Sequence, residues 1–252
     1  MKITRKILYF ILTTYKNAME FTFPHTCICC DKSIEKEKIF CDDCFSKIPF
    51  VEGTLCYRCG RKLNLLPINE KMLCADCLNK RPIYDKARAA FQYNTVSKSC
   101  ILKFKNTGRM DYKKQFVALL EQAGKDLFLE TDIIMPVPLH WRRKVSRGYN
   151  QAGVIGKALS KKIKIPYTDK ILIRSRHTPK QEKKTNKERH KNVKNAFMVK
   201  KPRKIKNKTV LLIDDVLTTG ATVNTCAKAL KKAGAQTVFV LTIAHTTREK
   251  DL

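Results

Sequence analysis

Apolar and polar positions along the chain separate three regions. A short periodic segment covers residues 1–24, and residues 25–80 show almost no long periodicity. From residue 85 onward, apolar strand-like runs alternate with helical patterns, which is typical of βαβ units around a mostly parallel sheet. The pattern therefore predicts a leader helix at 1–24, a small domain at 25–80 and a larger α/β domain at 85–252.

Individual elements follow from the same periodicity. Strands are predicted at 87–93, 132–137, 195–199, 210–213 and 237–244. Helices are predicted at 96–105, 112–128, 150–162 and 222–233. Cys226 falls on the apolar face of the last helix, so we expect it in the core. Residues 174–192 carry many charges without apolar periodicity, which predicts a loop.

The leader has apolar residues at every fourth position: Ile3, Ile7, Ile11 and Tyr15. Its apolar run is too short to span a bilayer, and no small-residue cleavage site follows it. We therefore expect a cytoplasmic protein whose leader helix packs on the body. A peripheral contact of this amphipathic helix with a membrane surface is the alternative.

Charge is concentrated in one part of the chain. The net charge is +30, and residues 140–208 contain 24 Lys/Arg and three acids, a net +21. Such a field attracts polyanions: nucleic acid, an anionic membrane or a multiply phosphorylated small molecule. Trp141, Tyr149 and Phe197 lie among these charges, a combination that suits backbone attraction and base stacking in single-stranded DNA.

Eight of the eleven cysteines form four C-x-x-C pairs, Cys27/Cys30, Cys41/Cys44, Cys56/Cys59 and Cys74/Cys77. Two such pairs supply the four thiolates of a tetrahedral zinc site, so the spacing predicts two Zn²⁺ ions. Both sites are expected to be structural, because protein thiolates fill all four positions.

The spacing of the cysteines leaves three details of these sites open. Sequential pairing is the simplest arrangement, but an interleaved pairing of the first pair with the third fits the spacing too. Cys29 adjoins Cys30, so either residue is a candidate ligand. Thiolate ligation also suits iron–sulfur clusters, although less often at such regular spacing.

Residues 210–222 combine an apolar run, two acids and a hydroxyl-rich turn before a helix. The apolar run predicts a buried parallel strand, and ligands bind beyond the carboxyl ends of such strands. Asp214 and Asp215 are placed there to accept hydrogen bonds from ribose hydroxyls or to reach Mg²⁺. The turn predicts an anion cradle at a helix N-terminus, formed by Thr218, Thr219, Gly220, Ala221 and Thr222.

This segment resembles the thirteen-residue signature of type I phosphoribosyltransferases. With the cysteine pairs, residues 27–244 resemble the ComF (ComFC) family of competence proteins. Further matching segments are 136–139, 147–151, 174–181, Glu188, Arg189, Asn192 and 195–197. The resemblance implies a type I phosphoribosyltransferase fold, with helices flanking a mostly parallel sheet, and a small N-terminal double zinc ribbon.

The resemblance also implies roles at a phosphoribosyl-pyrophosphate (PRPP) site. Asp214 and Asp215 would contact the ribose diol, 218–222 would hold the 5′-phosphate, and Mg²⁺ would accompany the ligand. The pyrophosphate would face Arg142, Arg143 and Arg147. Residues 174–192 correspond to a flap over the site, whose candidate closing charges are Arg174, Arg176 and Arg189.

Two functions are consistent with these features. The first is the handling of single-stranded DNA during DNA uptake in natural transformation, with PRPP bound as a ligand. Its implied partners are the competence helicase and other DNA-uptake proteins. The alternative is an active phosphoribosyltransferase acting on an unidentified acceptor. No segment of the sequence has the character of a base pocket.

Overall fold

A computed structural model describes residues 25–35, 38–63, 66, 69, 71–106, 112–139, 148–174 and 196–246. The leader helix predicted at 1–24 and residues 175–192 of the predicted loop lie outside these ranges. The chain divides into two compact units, Met1–Ile48 and Pro49–Leu252. The division falls between the second and third cysteine pairs, whereas sequence predicts a single domain at 25–80.

The described part of the first unit is built around its two cysteine pairs. Around the first pair, the Cys27 N–H donates to the carbonyl oxygen of Lys32 at 2.8 Å, and Asp31 adopts a positive φ of 62°. The second pair sits at the start of helix α1, Asp42–Lys47. Asp42 and Asp43 lie in its first turn and Lys47 in its last, which suits the helix dipole.

The second unit contains a four-stranded sheet. Its strands are β1 (Lys86–Gln92), β2 (Ile133–Pro136), β5 (Thr209–Leu217) and β6 (Thr237–His245). All three ladders are parallel, in the order β1-β6-β5-β2. Two shorter strands, β3 (Leu172–Arg174) and β4 (Phe197–Val199), form an antiparallel pair. The α/β class with a parallel sheet predicted from the sequence is confirmed.

The helices of this unit are α2 (Ala75–Asn79), α3 (Thr95–Asn106), α4 (Lys113–Ala123), α5 (Lys125–Phe128), α6 (Gln151–Ile163) and α7 (Ala221–Lys232), with a 3₁₀ turn at Pro202–Lys204. Cys226 is fully buried on α7, as predicted. None of the described helices is long and apolar enough to cross a membrane.

The single helix predicted at 112–128 is wrong in one respect, because it breaks at Gly124. The Gly124 N–H closes α4 on the carbonyl oxygen of Leu120 at 2.9 Å, and α5 begins at the next residue. A Cβ at position 124 would lie 2.7 Å from the Phe128 ring and 2.8 Å from Leu241. The close approach of these side chains therefore requires glycine there, and glycine weakens the helix.

The second cysteine cluster (Cys56, Cys59, Cys74 and Cys77) is attached to β1 through the knuckle at 57–60. The Ala87 N–H donates to the carbonyl oxygen of Arg58 at 2.6 Å. Gly60 has a φ of +70°, and a Cβ there would overlap the carbonyl oxygen of Ala87. The knuckle therefore depends on glycine for both its backbone conformation and its contact with the strand.

Gly60→Ala is accordingly expected to destabilise the protein by about 2 kcal/mol or more. Gly53→Ala is the matched control, because Gly53 has a φ of +83° but no atom within 4 Å of a Cβ. That change should cost only about 1 kcal/mol, the strain of the left-handed backbone. Urea denaturation of the zinc-loaded proteins measures both. Equal losses would contradict the close contact with β1.

Candidate functional site

The carboxyl ends of the parallel strands form the edge at which ligands bind in α/β folds. Four residues of β5, Val210 to Ile213, are completely buried and pair with β6. The strand is longer than predicted, because the ladder continues through Leu217, which pairs with His245. Asp214 and Asp215 therefore lie within the last part of the strand rather than after it.

Asp215 is held by a cation from a distant part of the chain. The Lys105 ammonium, in the last turn of α3, lies 2.8 Å from a carboxylate oxygen of Asp215, and both side chains are 20% exposed. This partial shielding from water strengthens the attraction. Sequence reasoning missed Lys105, because no local pattern connects positions 105 and 215.

Asp214 has a different environment, which disfavours its ionised form. Burial and the neighbouring charge of Asp215 raise the pKa of Asp214 to about 7, against an ordinary value of 3.8. The Asp215 N–H donates to Oδ1 of Asp214 at 2.9 Å. This hydrogen bond and the charges of Lys105 and Arg174 lower the pKa of Asp214, but they offset the rise only in part. Hydrogen-bond donors or a cation arriving with a ligand would favour the carboxylate form.

The phosphate loop, residues 218–222, follows directly at the end of β5. Gly220 has a φ of +72°, and a Cβ there would lie 3.2 Å from Nδ2 of Asn224. Glycine therefore permits the left-handed turn that begins α7. The first turn of α7 contains no acidic residue. Hydroxyls, backbone N–H groups and the helix dipole together make this loop suitable for a phosphate.

The predicted arginines can be located only in part. Arg174 ends β3 and lies over the Phe197 ring, with its guanidinium carbon 5.4 Å from the centroid. Its charge acts on Asp214, so the structure brings these two predicted residues together. The others lie outside the described residues and stay predictions: Arg142, Arg143, Arg147, Arg176 and Arg189.

One aromatic residue predicted for base stacking, Phe197, is not available for it. Phe197 is only 7% exposed and belongs to the core. The Tyr149 hydroxyl donates to the carbonyl oxygen of Phe104 at 2.7 Å, and its ring meets the Phe104 ring edge-on at 6.4 Å. Core packing therefore uses the Phe197 ring, which corrects that part of the prediction, whereas Tyr149 is only partly buried. Trp141 lies outside the described residues.

A cavity of about 1110 Å³ adjoins the phosphate loop within the second unit. Its lining includes residues 218–221, the segment 79–84 that follows the second cysteine cluster, and His245 at the end of β6. Sequence reasoning found no such space, because the residues that line it are scattered between positions 59 and 246.

The cysteines form two clusters by sequential pairing, the first of Cys27, Cys30, Cys41 and Cys44 and the second of Cys56, Cys59, Cys74 and Cys77. In each cluster the four sulfur atoms lie within 4.8 Å of one another. The Sγ–Sγ distances of Cys30–Cys41 and Cys59–Cys74 are both 3.6 Å. Tetrahedral ligands at about 2.3 Å from zinc would be about 3.8 Å apart, so the geometry fits two structural zinc sites.

The interleaved pairing is thereby excluded. Cys29 is buried, at 4% exposure, but lies outside the first cluster, so Cys30 is the ligand of that pair.

Comparison with known proteins identifies the family. The Double zinc ribbon domain family matches residues 18–78, and the Phosphoribosyl transferase domain family matches residues 150–251. Competence protein F of Haemophilus influenzae is 31% identical over 225 residues, covering 87% of this chain and 90% of that protein. This chain belongs to the ComF family of competence proteins.

Other relatives agree with this assignment of the ComF-family chain. The DNA utilization protein YhgH of Escherichia coli (strain K12) is 31% identical and covers 82% of this chain and 90% of its own length. Competence protein ComFC of Bacillus subtilis is 27% identical, with coverages of 79% and 80%. Among solved structures, a glutamine PRPP amidotransferase from B. subtilis is 18% identical in sequence. The alignment covers 56% of this chain and 30% of the amidotransferase chain, and its TM-score of 0.39 is too low to support an inference.

Two structural zinc sites predict a simple stoichiometry. Purified ComF-family protein should contain about two equivalents of zinc by elemental analysis, since each cluster supplies four thiolates. Cys77→Ser should lose one equivalent, whereas Cys226→Ala, a change at a core cysteine outside both clusters, should keep both. One equivalent or none in the unaltered protein would contradict the assignment.

The raised pKa of Asp214 predicts that replacing its carboxyl group with a neutral amide stabilises the protein, and that the gain depends on pH. Because its folded-state pKa of about 7 exceeds the ordinary 3.8, ionisation of Asp214 destabilises the fold progressively as pH rises between these values. Asp214→Asn should therefore raise the Tm, and the increase at about pH 8 should be roughly twice that at about pH 5.5. Thermal denaturation at the two pH values measures the difference.

Glu130→Gln is the control for loss of one negative charge. Glu130 is exposed and forms no ion pair with any described residue. This change should leave the Tm nearly the same at both pH values. A lower Tm for Asp214→Asn at about pH 8 would show that burial does not disfavour the Asp214 carboxylate.

Proposed function

We propose that this ComF-family chain binds PRPP together with Mg²⁺ at the carboxyl edge of β5 and handles single-stranded DNA in the cytoplasm during natural transformation. The observation that carries the PRPP part is the succession of two acids and a left-handed phosphate loop at the end of one buried parallel strand. A sugar phosphate has hydroxyls for the acids and an anion for the loop.

In this proposal, different described residues bind different parts of PRPP. Asp214 and Asp215 accept hydrogen bonds from the ribose hydroxyls, and the 2.8 Å ion pair with Lys105 holds the Asp215 side chain in position. Residues 218–222 hold the 5′-phosphate through backbone N–H groups and hydroxyls. Arg174 contributes positive charge beside Asp214. Mg²⁺ would supply charge neutralisation for the pyrophosphate, and the carboxylates are oxygen ligands of the kind it prefers.

The DNA part of the proposal rests on charge and on the relatives. The net charge of +30 favours a polyanionic partner. Two relatives are called competence proteins and another a DNA utilization protein. In this setting the competence helicase and other DNA-uptake proteins are the proposed partners, and any membrane contact is peripheral.

A second candidate function is phosphoribosyl transfer to an unidentified acceptor. The cavity beside the phosphate loop favours it, because His245 and Thr246 line this space at the end of β6. The Thr246 N–H donates to the carbonyl oxygen of Leu217 at 3.0 Å, which fixes this corner against β5. In such a reaction the bond from ribose C1 to pyrophosphate breaks while a bond from C1 to the acceptor forms.

Calorimetric titration with Mg²⁺ and PRPP tests the proposed site. The double variant Asp214→Asn with Asp215→Asn should bind PRPP at least about 100-fold more weakly, since it loses two charge-assisted hydrogen-bond acceptors. Glu130→Gln with Asp169→Asn is the matched control, because it neutralises two exposed acids away from the site. Unchanged PRPP affinity in the first double variant would rule out the site.

The same samples decide between the two functions. Pyrophosphate released from PRPP in the presence of Mg²⁺ and a panel of nucleobases, and lost in the Asp214/Asp215 double variant, would favour transfer. PRPP binding without pyrophosphate release favours the role as a ligand.

A further inference from the structure

The cavity beside the phosphate loop is larger than most small-molecule pockets. At about 1110 Å³ it exceeds the range of about 300–1000 Å³ that is usual for small-molecule pockets. Beyond the loop it continues along the outer face of α7, where Thr225, Lys228 and Lys232 line it. We call this part the α7 groove.

The α7 groove is positively charged. Four exposed cations line it: Lys80 and Arg81 on one wall, and Lys228 and Lys232 on α7. None of the four forms an ion pair with a described residue. Among the described lining residues the one acid is Asp76, which Arg61 neutralises at 3.1 Å. These four charges are therefore available to an external anion.

The walls of the groove are fixed to the body of the unit. The N–H of Ile83 donates to Oδ1 of Asn224 on α7 at 2.7 Å, and the Lys231 ammonium lies 2.8 Å from Asp85. Asp85 in turn accepts from the Val238 N–H at 2.9 Å. The wall that follows the second cysteine cluster is thus held against α7 and β6, so the charges are presented on a rigid surface.

Exposed apolar side chains also line this cavity. Ile83 in the segment 79–84 is 39% exposed, and Met198 on β4 is 48% exposed. Lys228 and Lys232 are four residues apart on α7 and therefore lie on the same face of the helix. Cations and exposed apolar side chains in one groove provide for both the backbone and the unstacked bases of a single strand.

From these features we infer that the α7 groove is the binding track for single-stranded DNA and that it ends at the phosphate loop. This inference rests on the proposed function, and it locates the DNA on α7 rather than on the basic segment 140–208 as a whole. Lys228 and Lys232 contact successive phosphates, and Lys80 and Arg81 contact the strand from the opposite wall.

Two pairs of lysines provide a matched test. Lys228→Gln with Lys232→Gln removes two charges from α7, and Lys157→Gln with Lys161→Gln removes two exposed charges at the same spacing from α6, within 140–208. Glutamine keeps the helix propensity of lysine. The probe is a fluorescein-labelled oligothymidylate of about 20 nucleotides, longer than a typical single-domain site. Fluorescence anisotropy over a salt series gives the log–log slope.

We expect the α7 pair to weaken binding at least about tenfold and to reduce the slope by about 1.4, since each single-strand phosphate contact contributes about 0.7. The α6 pair should leave the slope unchanged, and both variants should keep the PRPP affinity of the unaltered protein. An equal loss in both variants, no loss in either, or loss of PRPP binding in the α7 pair would overturn the groove as the track.

The same series of anisotropy measurements also tests whether DNA is what binds in the groove, and whether the proposed DNA-handling function holds. Tighter binding of an oligouridylate RNA of equal length would overturn DNA as the occupant. If the unaltered protein binds no oligothymidylate at about 0.15 M salt, the DNA-handling function itself fails. If it binds and the α7 variant binds equally well, only the groove assignment fails.

Discussion

The parallel ladder between β5 and β6 is the constraint on which the candidate site depends. It buries the apolar run 210–213 and holds the ends of both strands in register, with Leu217 opposite His245. The acids lie in the last part of β5 and the phosphate loop follows it, and the end of β6 forms a corner of the cavity. Because a parallel sheet brings these ends to one edge, residues that are distant in sequence come together there as a candidate binding site.

The second cysteine cluster contributes both to the fold and to the surroundings of the candidate site. Its knuckle contacts β1 through Gly60 and Ala87, and the segment after its last cysteine forms a wall of the cavity. Four thiolates around one metal stabilise a segment that has little apolar core of its own. The second cysteine cluster therefore helps to shape the cavity beside the phosphate loop.

Local patterns predicted most of the sheet and both cysteine clusters, and long-range contacts account for what they missed. The strand and loop at 210–222 were predictable, because the apolar run, the two acids and the hydroxyl-rich turn follow one another in consecutive residues. Lys105, the cavity and the burial of Phe197 depend on contacts between distant positions. The strand at Leu172–Arg174 is too short to show periodicity, and the break at Gly124 reflects packing against Phe128 and Leu241.

A crystal structure with Mg²⁺ and PRPP would show whether the end of β5 binds a phosphoribosyl group. We expect the 5′-phosphate on the backbone N–H groups of 218–222 and the ribose hydroxyls against Asp214 and Asp215. We also expect the α7 groove to stay open beside the ligand. PRPP bound elsewhere, or bound without contact to these acids and this loop, would disprove the proposed site.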